Sequence, residues 1–192
     1  MLVSRNYKCL KKNVFSKDNY LLVPLRDEDK YAILEWRNAQ IDILRQKEIL
    51  TKEQQETYFN TIITPLFEQE KPNQILWSFL ENGKLIGYGG LVHIDWEAKH
   101  AEISFLLCNQ RNSDIAQFKK DWSVYLNLVI SIAFRELNFQ KAHTYAYDIR
   151  PYYFDIMYDQ GFLKEGHLKR HIKIGEKLVD ILILSKFNDI VL

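Results

Sequence analysis

The stretch that most restricts the fold is the last third of the chain, from Ala133 to Lys186. A helix end (AFRELNF) leads into an alternating run, Lys141 to Tyr147, which reads as a strand. Pro151 then opens a short helix to Gln160, because proline fits the first helical turn and its missing N–H costs nothing there. Gly161 stops that helix as the left-handed residue after its end. Two long strands follow, Phe162 to Ile174 and Leu178 to Ser185, turning through Ile174-Gly175-Glu176-Lys177. A strand, a helix and a hairpin in that order require a sheet with helices packed on it.

The preceding residues extend the same sheet. Residues 1 to 18 are polar and basic and read as a short arm or hairpin. Tyr20 to Leu25 is a strand, with Pro24 favouring an edge or end position. Asp27 to Asn38 places Ala32, Ile33 and Trp36 on one helical side. Thr51 with Gln54 forms a capping box for a second helix, Lys52 to about Ile63, and Pro65 and Pro72 bracket a loop. Gln74 to Leu80 and Leu85 to Ile94 flank Glu81-Asn82-Gly83-Lys84, a hairpin turn in which Asn-Gly supplies positive φ angles. Gly87, Gly89 and Gly90 inside the second of these strands signal a bulge or close backbone approach. His100 to Cys108 is the next strand. Phe118 to Leu137 repeats apolar residues at helical spacing, from Trp122 to Phe134. The order is β-α-α-β-β-β-α-β-α-β-β. The fold class is α/β: a mixed, mostly antiparallel sheet of six to seven strands with helices on both faces.

Composition narrows the function. The 192 residues suit a single domain, 1–192, with residues 1–18 as its arm. Lys and Arg number 26 against 25 Asp and Glu, so no strong nucleic-acid field is expected. Cys9 and Cys108 lack metal-ligand spacing, and a reduced, cytoplasmic protein without a metal is expected. Met1-Leu2-Val3 runs at once into polar residues, which does not read as a secretory core, and no apolar run is long enough for a membrane span.

The Gly161-Phe162 stop, Glu165-Gly166 and Asp180 within the hairpin, and the element order over residues 20 to 187 resemble the GCN5-related N-acetyltransferases (GNAT). The nearest branch is that of the ribosomal-protein N-terminal and amino-sugar-nucleotide acetyltransferases. The resemblance implies acetyl-CoA as co-substrate and acyl transfer to a small amine. An amino-sugar nucleotide is the first acceptor, and an N-terminal protein substrate or a non-catalytic acyl-CoA-binding homologue are the alternatives. No nucleic-acid or membrane partner is implied, and a homodimer is among the expected assemblies.

By the same resemblance, the strand HAEISFLLC splays from its neighbour and Phe105, Leu106 and Leu107 offer backbone groups to the pantetheine arm. The family's pyrophosphate loop, Q/R-x-x-G-x-G/A, aligns with Arg111, Asn112, Ser113, Asp114, Ile115 and Ala116. Arg111 and Ala116 fit. Asp114 replaces the first glycine, adding a Cβ and a negative charge beside an anion. It also reads as a capping box with Gln117, and Lys119 and Lys120 offset its charge.

For chemistry, Glu102 lies on that strand in an otherwise apolar run and is the candidate general base. His93 and His100 are alternatives nearby. The family's usual tyrosine, four residues before the Gly-Phe pair, is Met157 here, which cannot donate a proton. Tyr153, one turn earlier, is therefore the candidate acid. The family's frequent Asn at this helix start is Arg150. Trp36-Arg37-Asn38 recurs in the same branch, which implies an acceptor-binding role for these residues together with His93. Arg37 and Arg45 suit bidentate phosphate contacts.

Overall fold

A computed structural model describes residues 5–188. Eight strands form one sheet in the order β1-β2-β3-β4-β5-β6-β8-β7. The strands are β1 (Phe15–Lys17), β2 (Tyr20–Pro24), β3 (Ile75–Glu81), β4 (Lys84–Asp95), β5 (His100–Leu107), β6 (Lys141–Tyr147), β7 (Leu163–Ile174) and β8 (Lys177–Phe187). Every neighbouring pair is antiparallel except β5 and β6. The sheet has one strand more than the upper number expected. The addition is β1, three residues in a polar, basic stretch that carries no run of alternation.

The helices are α1 (Lys30–Ala39), α2 (Lys52–Tyr58), α3 (Thr64–Leu66), α4 (Asn109–Ser113), α5 (Ile115–Ser131) and α6 (Pro151–Asp159). A π turn, Phe59–Ile63, joins α2 to α3, so the helical path runs through Pro65 instead of ending before it. Proline is tolerated there because it sits in the first turn of α3. Thr51 caps α2 with the reciprocal box read from the sequence: Gln54 N–H donates to Thr51 Oγ1, and Gln54 Oε1 accepts from Thr51 N–H.

Tyr7, Leu10 and Phe15 anchor residues 5–18 to the core. The Tyr7 ring is buried, and its hydroxyl both donates to Leu76 O and accepts from Leu76 N–H, each at 2.9 Å. Asn82 and Gly83 both carry the positive φ that the β3–β4 turn demands. Gly90 has a different reason: a Cβ there would lie 1.9 Å from the carbonyl oxygen of Ile75. It marks close packing of β3 on β4, and β4 shifts register further along, between Val92 and Asp95, where His93 takes φ 50°.

An aromatic stack fixes α5 and α6 on one face of the sheet. Phe105 of β5 lies 4.5 Å from Trp122 of α5, and Trp122 lies 4.9 Å from Tyr153 of α6. Such pairs each add about 0.5–1.5 kcal/mol beyond area burial. Met157, fully buried, places its sulfur 3.7 Å from the Thr144 hydroxyl. Helices α5 and α6 are thereby tied to β5 and β6 respectively.

Candidate active site

The parallel contact between β5 and β6 is short. It covers His100, Ala101 and Glu102 against Lys141, Ala142 and His143. Beyond Glu102, β5 continues beside β4 as far as Leu107, and β6 continues beside β8 as far as Tyr147. The two strands therefore part after Glu102 and leave a seam in the sheet. The backbone of β5 along this seam follows from strand alternation. Cys108 N–H donates to Ile86 O at 2.8 Å, so alternate residues Leu106 and Ser104 also turn their backbone groups toward β4. Ile103, Phe105 and Leu107 turn the other way, toward the space β6 has vacated. The Leu107 carbonyl is occupied by Gln40 Nε2 at 2.8 Å. By this alternation Phe105 turns both its backbone groups toward the seam and Ile103 its carbonyl, the Ile103 N–H being the last bond of the β5–β6 contact. Of the three residues expected to serve the pantetheine arm, Phe105 faces the seam, Leu106 faces β4, and the Leu107 carbonyl is held by Gln40.

A cleft of about 330 Å³ opens at the seam. Glu102, Tyr153, Phe105, Arg37, Arg45 and His93 all line it, so six of the sequence-derived candidates converge. Glu102 and Tyr153 approach from opposite faces. Odd-numbered β5 side chains pack on α5, as Phe105 does, which turns Glu102 to the face of the α1–α2 connection. There Arg45 from that connection forms an ion pair with Glu102 and lies 4.3 Å over the Tyr145 ring. His93 Nε2 is 3.8 Å from Glu102 Oε2. On the other face, burial raises the Tyr153 hydroxyl above the ordinary tyrosine range, with the Arg150 charge opposing and the Glu102 charge adding. A tyrosine so shifted keeps its proton at neutral pH and is a weaker acid than an exposed one, so its hydroxyl enters the cleft as a hydrogen-bond donor.

The Trp36-Arg37-Asn38 triplet divides its work. Trp36 is a core residue. Arg37 reaches the cleft, donating to Tyr88 Oη at 2.9 Å and Gln46 Oε1 at 3.0 Å, with no carboxylate in ion-pair range among the described residues. Asn38 braces the connection that carries Arg45: its amide receives Leu50 N–H at 2.9 Å and donates to Leu50 O at 2.8 Å.

The expected pyrophosphate loop is part helix. Arg111, Asn112 and Ser113 lie in α4, and Asp114 caps α5 by accepting Gln117 N–H at 3.0 Å. The reciprocal half of that capping box is absent, because the Gln117 side chain turns to Asp121 instead. Ile115 is exposed at the start of α5, followed by Ala116 in its first turn. The Arg111 side chain is engaged elsewhere, with Glu81 and with both oxygens of buried Asp121 at 3.0 Å. Asn112 Oδ1 accepts from Arg150 at 2.9 Å.

Arg150 and Tyr145 line the cleft and were not among the residues drawn from the sequence as site residues. The alternation of His143, Tyr145 and Tyr147 along β6 is the signal for the second; for Arg150 the signal is its place before Pro151, where the family's frequent Asn stands.

The family model for the acetyltransferase (GNAT) domain matches residues 22–183. No curated protein sequence matches the chain. Among solved structures, the spermidine N-acetyltransferase from Vibrio cholerae in complex with CoA and spermine superposes with a TM-score of 0.78 at 18% identity, over 90% of this chain and 97% of that one. A structure described as a probable acetyltransferase gives 0.71 at 19% identity, over 91% and 96%. The dodecameric form of the Vibrio cholerae enzyme gives 0.72 at 19%, over 90% and 95%.

Proposed function

Because the chain belongs to the GNAT acetyltransferases, whose acyl donor is acetyl-CoA, we propose that it transfers an acetyl group to a small amine that also carries an anionic group. An amino-sugar nucleotide is the first acceptor of this kind. The observation that carries the reading is the seam after Glu102, lined by Glu102 from one face and Tyr153 from the other.

When bound, acetyl-CoA supplies the activated thioester. The seam fits it: Ile103 and Phe105 hold backbone groups toward the open side, so a pantetheine amide finds strand-like partners there. In our reading Glu102 receives the proton from the acceptor ammonium, leaving the amine free to attack. The Tyr153 hydroxyl holds the proton that the departing sulfur needs. Arg45 pairs with Glu102 in the structure described. An anion on the acceptor offers Arg45 a second partner, which leaves the Glu102 oxygens open to the amine.

The charge of the cleft supports an anionic acceptor. Arg37 and Arg45 line its acceptor side, against the single carboxylate Glu102. A polyamine, on which one similar enzyme acts, carries several positive charges and gains nothing from such a lining. We include self-association in the proposal. Among the described residues the sheet ends in β7 with its outer edge unpaired, and Leu163 and Leu178 are exposed on that hairpin. Light scattering that returns a monomer mass at micromolar concentration removes this part.

The deciding experiment is acetyl-CoA-dependent thiol release with amino-sugar nucleotides, polyamines and N-terminal peptides as acceptors. Turnover with an anionic amine and none with spermidine is the expected result. Turnover restricted to polyamines or peptides overturns the acceptor assignment. CoA binding without turnover on any amine favours the non-catalytic homologue.

A further inference from the structure

Two arginines stand near the loop that joins β5 to α5, and they differ in what neutralises them. Arg111, the residue matching the family motif, is consumed by Glu81 and by buried Asp121. Its charge is balanced inside the protein. Arg150 comes from the residue before α6, on the other side of the seam. It is partly buried, and among the described residues no carboxylate lies within ion-pair distance of it. Its partners are Asn112 Oδ1 at 2.9 Å, the Tyr152 side chain, and two ring faces, Phe118 at 5.2 Å and Tyr153 at 5.5 Å. Removal from water lowers its pKa from the ordinary arginine value. A guanidinium held out of water by rings, one amide oxygen and a tyrosine, with no carboxylate among its partners, lining a cleft, is placed for an anion to complete it.

The neighbouring loop supplies the reason for such a residue. Asp114 stands where the family has a glycine, and its carboxylate occupies the amide of Gln117. That amide and the α5 N-terminus are the groups that usually meet a phosphate. We propose that Arg150 is a diphosphate-binding residue: its guanidinium, steered by Asn112 and the Phe118 and Tyr153 rings, holds the pyrophosphate of the acyl donor in place of the contacts the loop has lost to Asp114. This rests on the acyl-CoA assignment above. It assigns the role to a side chain across the seam, outside the motif.

The test is calorimetric binding of CoA, dephospho-CoA and pantetheine to the wild-type protein and to Arg150→Gln and Arg150→Lys. In the Gln variant, affinity for CoA and for dephospho-CoA should fall about 10- to 100-fold, while pantetheine binds as to wild type. The Lys variant keeps the charge without the planar fork and should fall between the two. Wild-type affinity for CoA in the Gln variant overturns the proposal. So does an equal loss of pantetheine, which marks a damaged cleft, or a loss confined to CoA, which assigns Arg150 to the 3′-phosphate. Failure of the wild-type protein to bind CoA at all is a different result. It removes the acyl-donor assignment itself.

Discussion

The two halves of the sheet are built differently, and the cleft lies where they meet. In the half formed by β1 to β5, β3 buries six of its seven side chains fully, because α1 and α2 cover one face and α5 the other. In the half formed by β6, β8 and β7, none of the twelve β7 side chains is fully buried. The first half is a packed interior. The second is three strands, of which the outer one, β7, is held mainly by its ladder with β8. A parallel contact of three residue pairs joins them. The difference explains why the seam opens at all: each strand beyond Glu102 is already satisfied on its outer side, β5 by β4 and β6 by β8.

Breaking the packed half should have the largest effect. Gly90→Ala drives a Cβ into the Ile75 carbonyl, backbone against backbone, and is expected to cost about 3 kcal/mol or more in a urea titration. Next is the chemistry at the junction. Glu102→Gln should lower kcat about 100-fold or more with the melting temperature of the CoA complex little changed. A fully active variant would remove Glu102 as the base. Tyr153→Phe keeps the stack on Trp122 and removes only the hydroxyl, so kcat should fall about 10- to 100-fold with KM for acetyl-CoA unchanged. An unchanged kcat assigns the leaving sulfur's proton to solvent.

A smaller effect belongs to the junction itself. Burial, then the charges of His100 and Lys141, push the His143 imidazole down from 6.5 to about 4, with Glu165 opposing and His93 adding. Between those values the unfolded chain binds a proton that the native state refuses. Stability is therefore lost as pH falls through this window and is regained above 6.5. The loss is about 1–2 kcal/mol once partial exposure is allowed for. His143→Gln should show a shallower fall than wild type between pH 6.5 and 4; parallel curves contradict the assignment. At the small end is Gly166→Ala in the open half. Its Cβ would meet the end of the Ile183 side chain at 3.2 Å, which can move, so the change should stay within about 1 kcal/mol.

Most of the frame was legible in the sequence because its signals are local. Pro151 and Gly161 bound α6, Asn82-Gly83 turns β3 into β4, and Thr51 with Gln54 starts α2. What was not legible depends on distant partners. The strand β1 is three residues whose pairing, not their pattern, makes them a strand. Arg111 fits a phosphate motif by spacing, yet Asp121 and Glu81, ten and thirty residues away, claim it. Arg150 stands where the family's frequent Asn is, yet its exposure to the cleft follows only from where α6 packs. The triplet Trp36-Arg37-Asn38 reads as one unit, but its side chains diverge by about 100° per residue on a helix. Only Arg37 reaches the cleft.

The central claim is that the seam between the two halves receives the acyl donor. Hydrogen–deuterium exchange with and without CoA tests it most directly. The account predicts added protection in peptides covering residues 102–118, where β5 leaves β6 and runs into α5, and no change across residues 163–187. Protection confined to the β7–β8 hairpin, or none along β5 at saturating CoA, would contradict it.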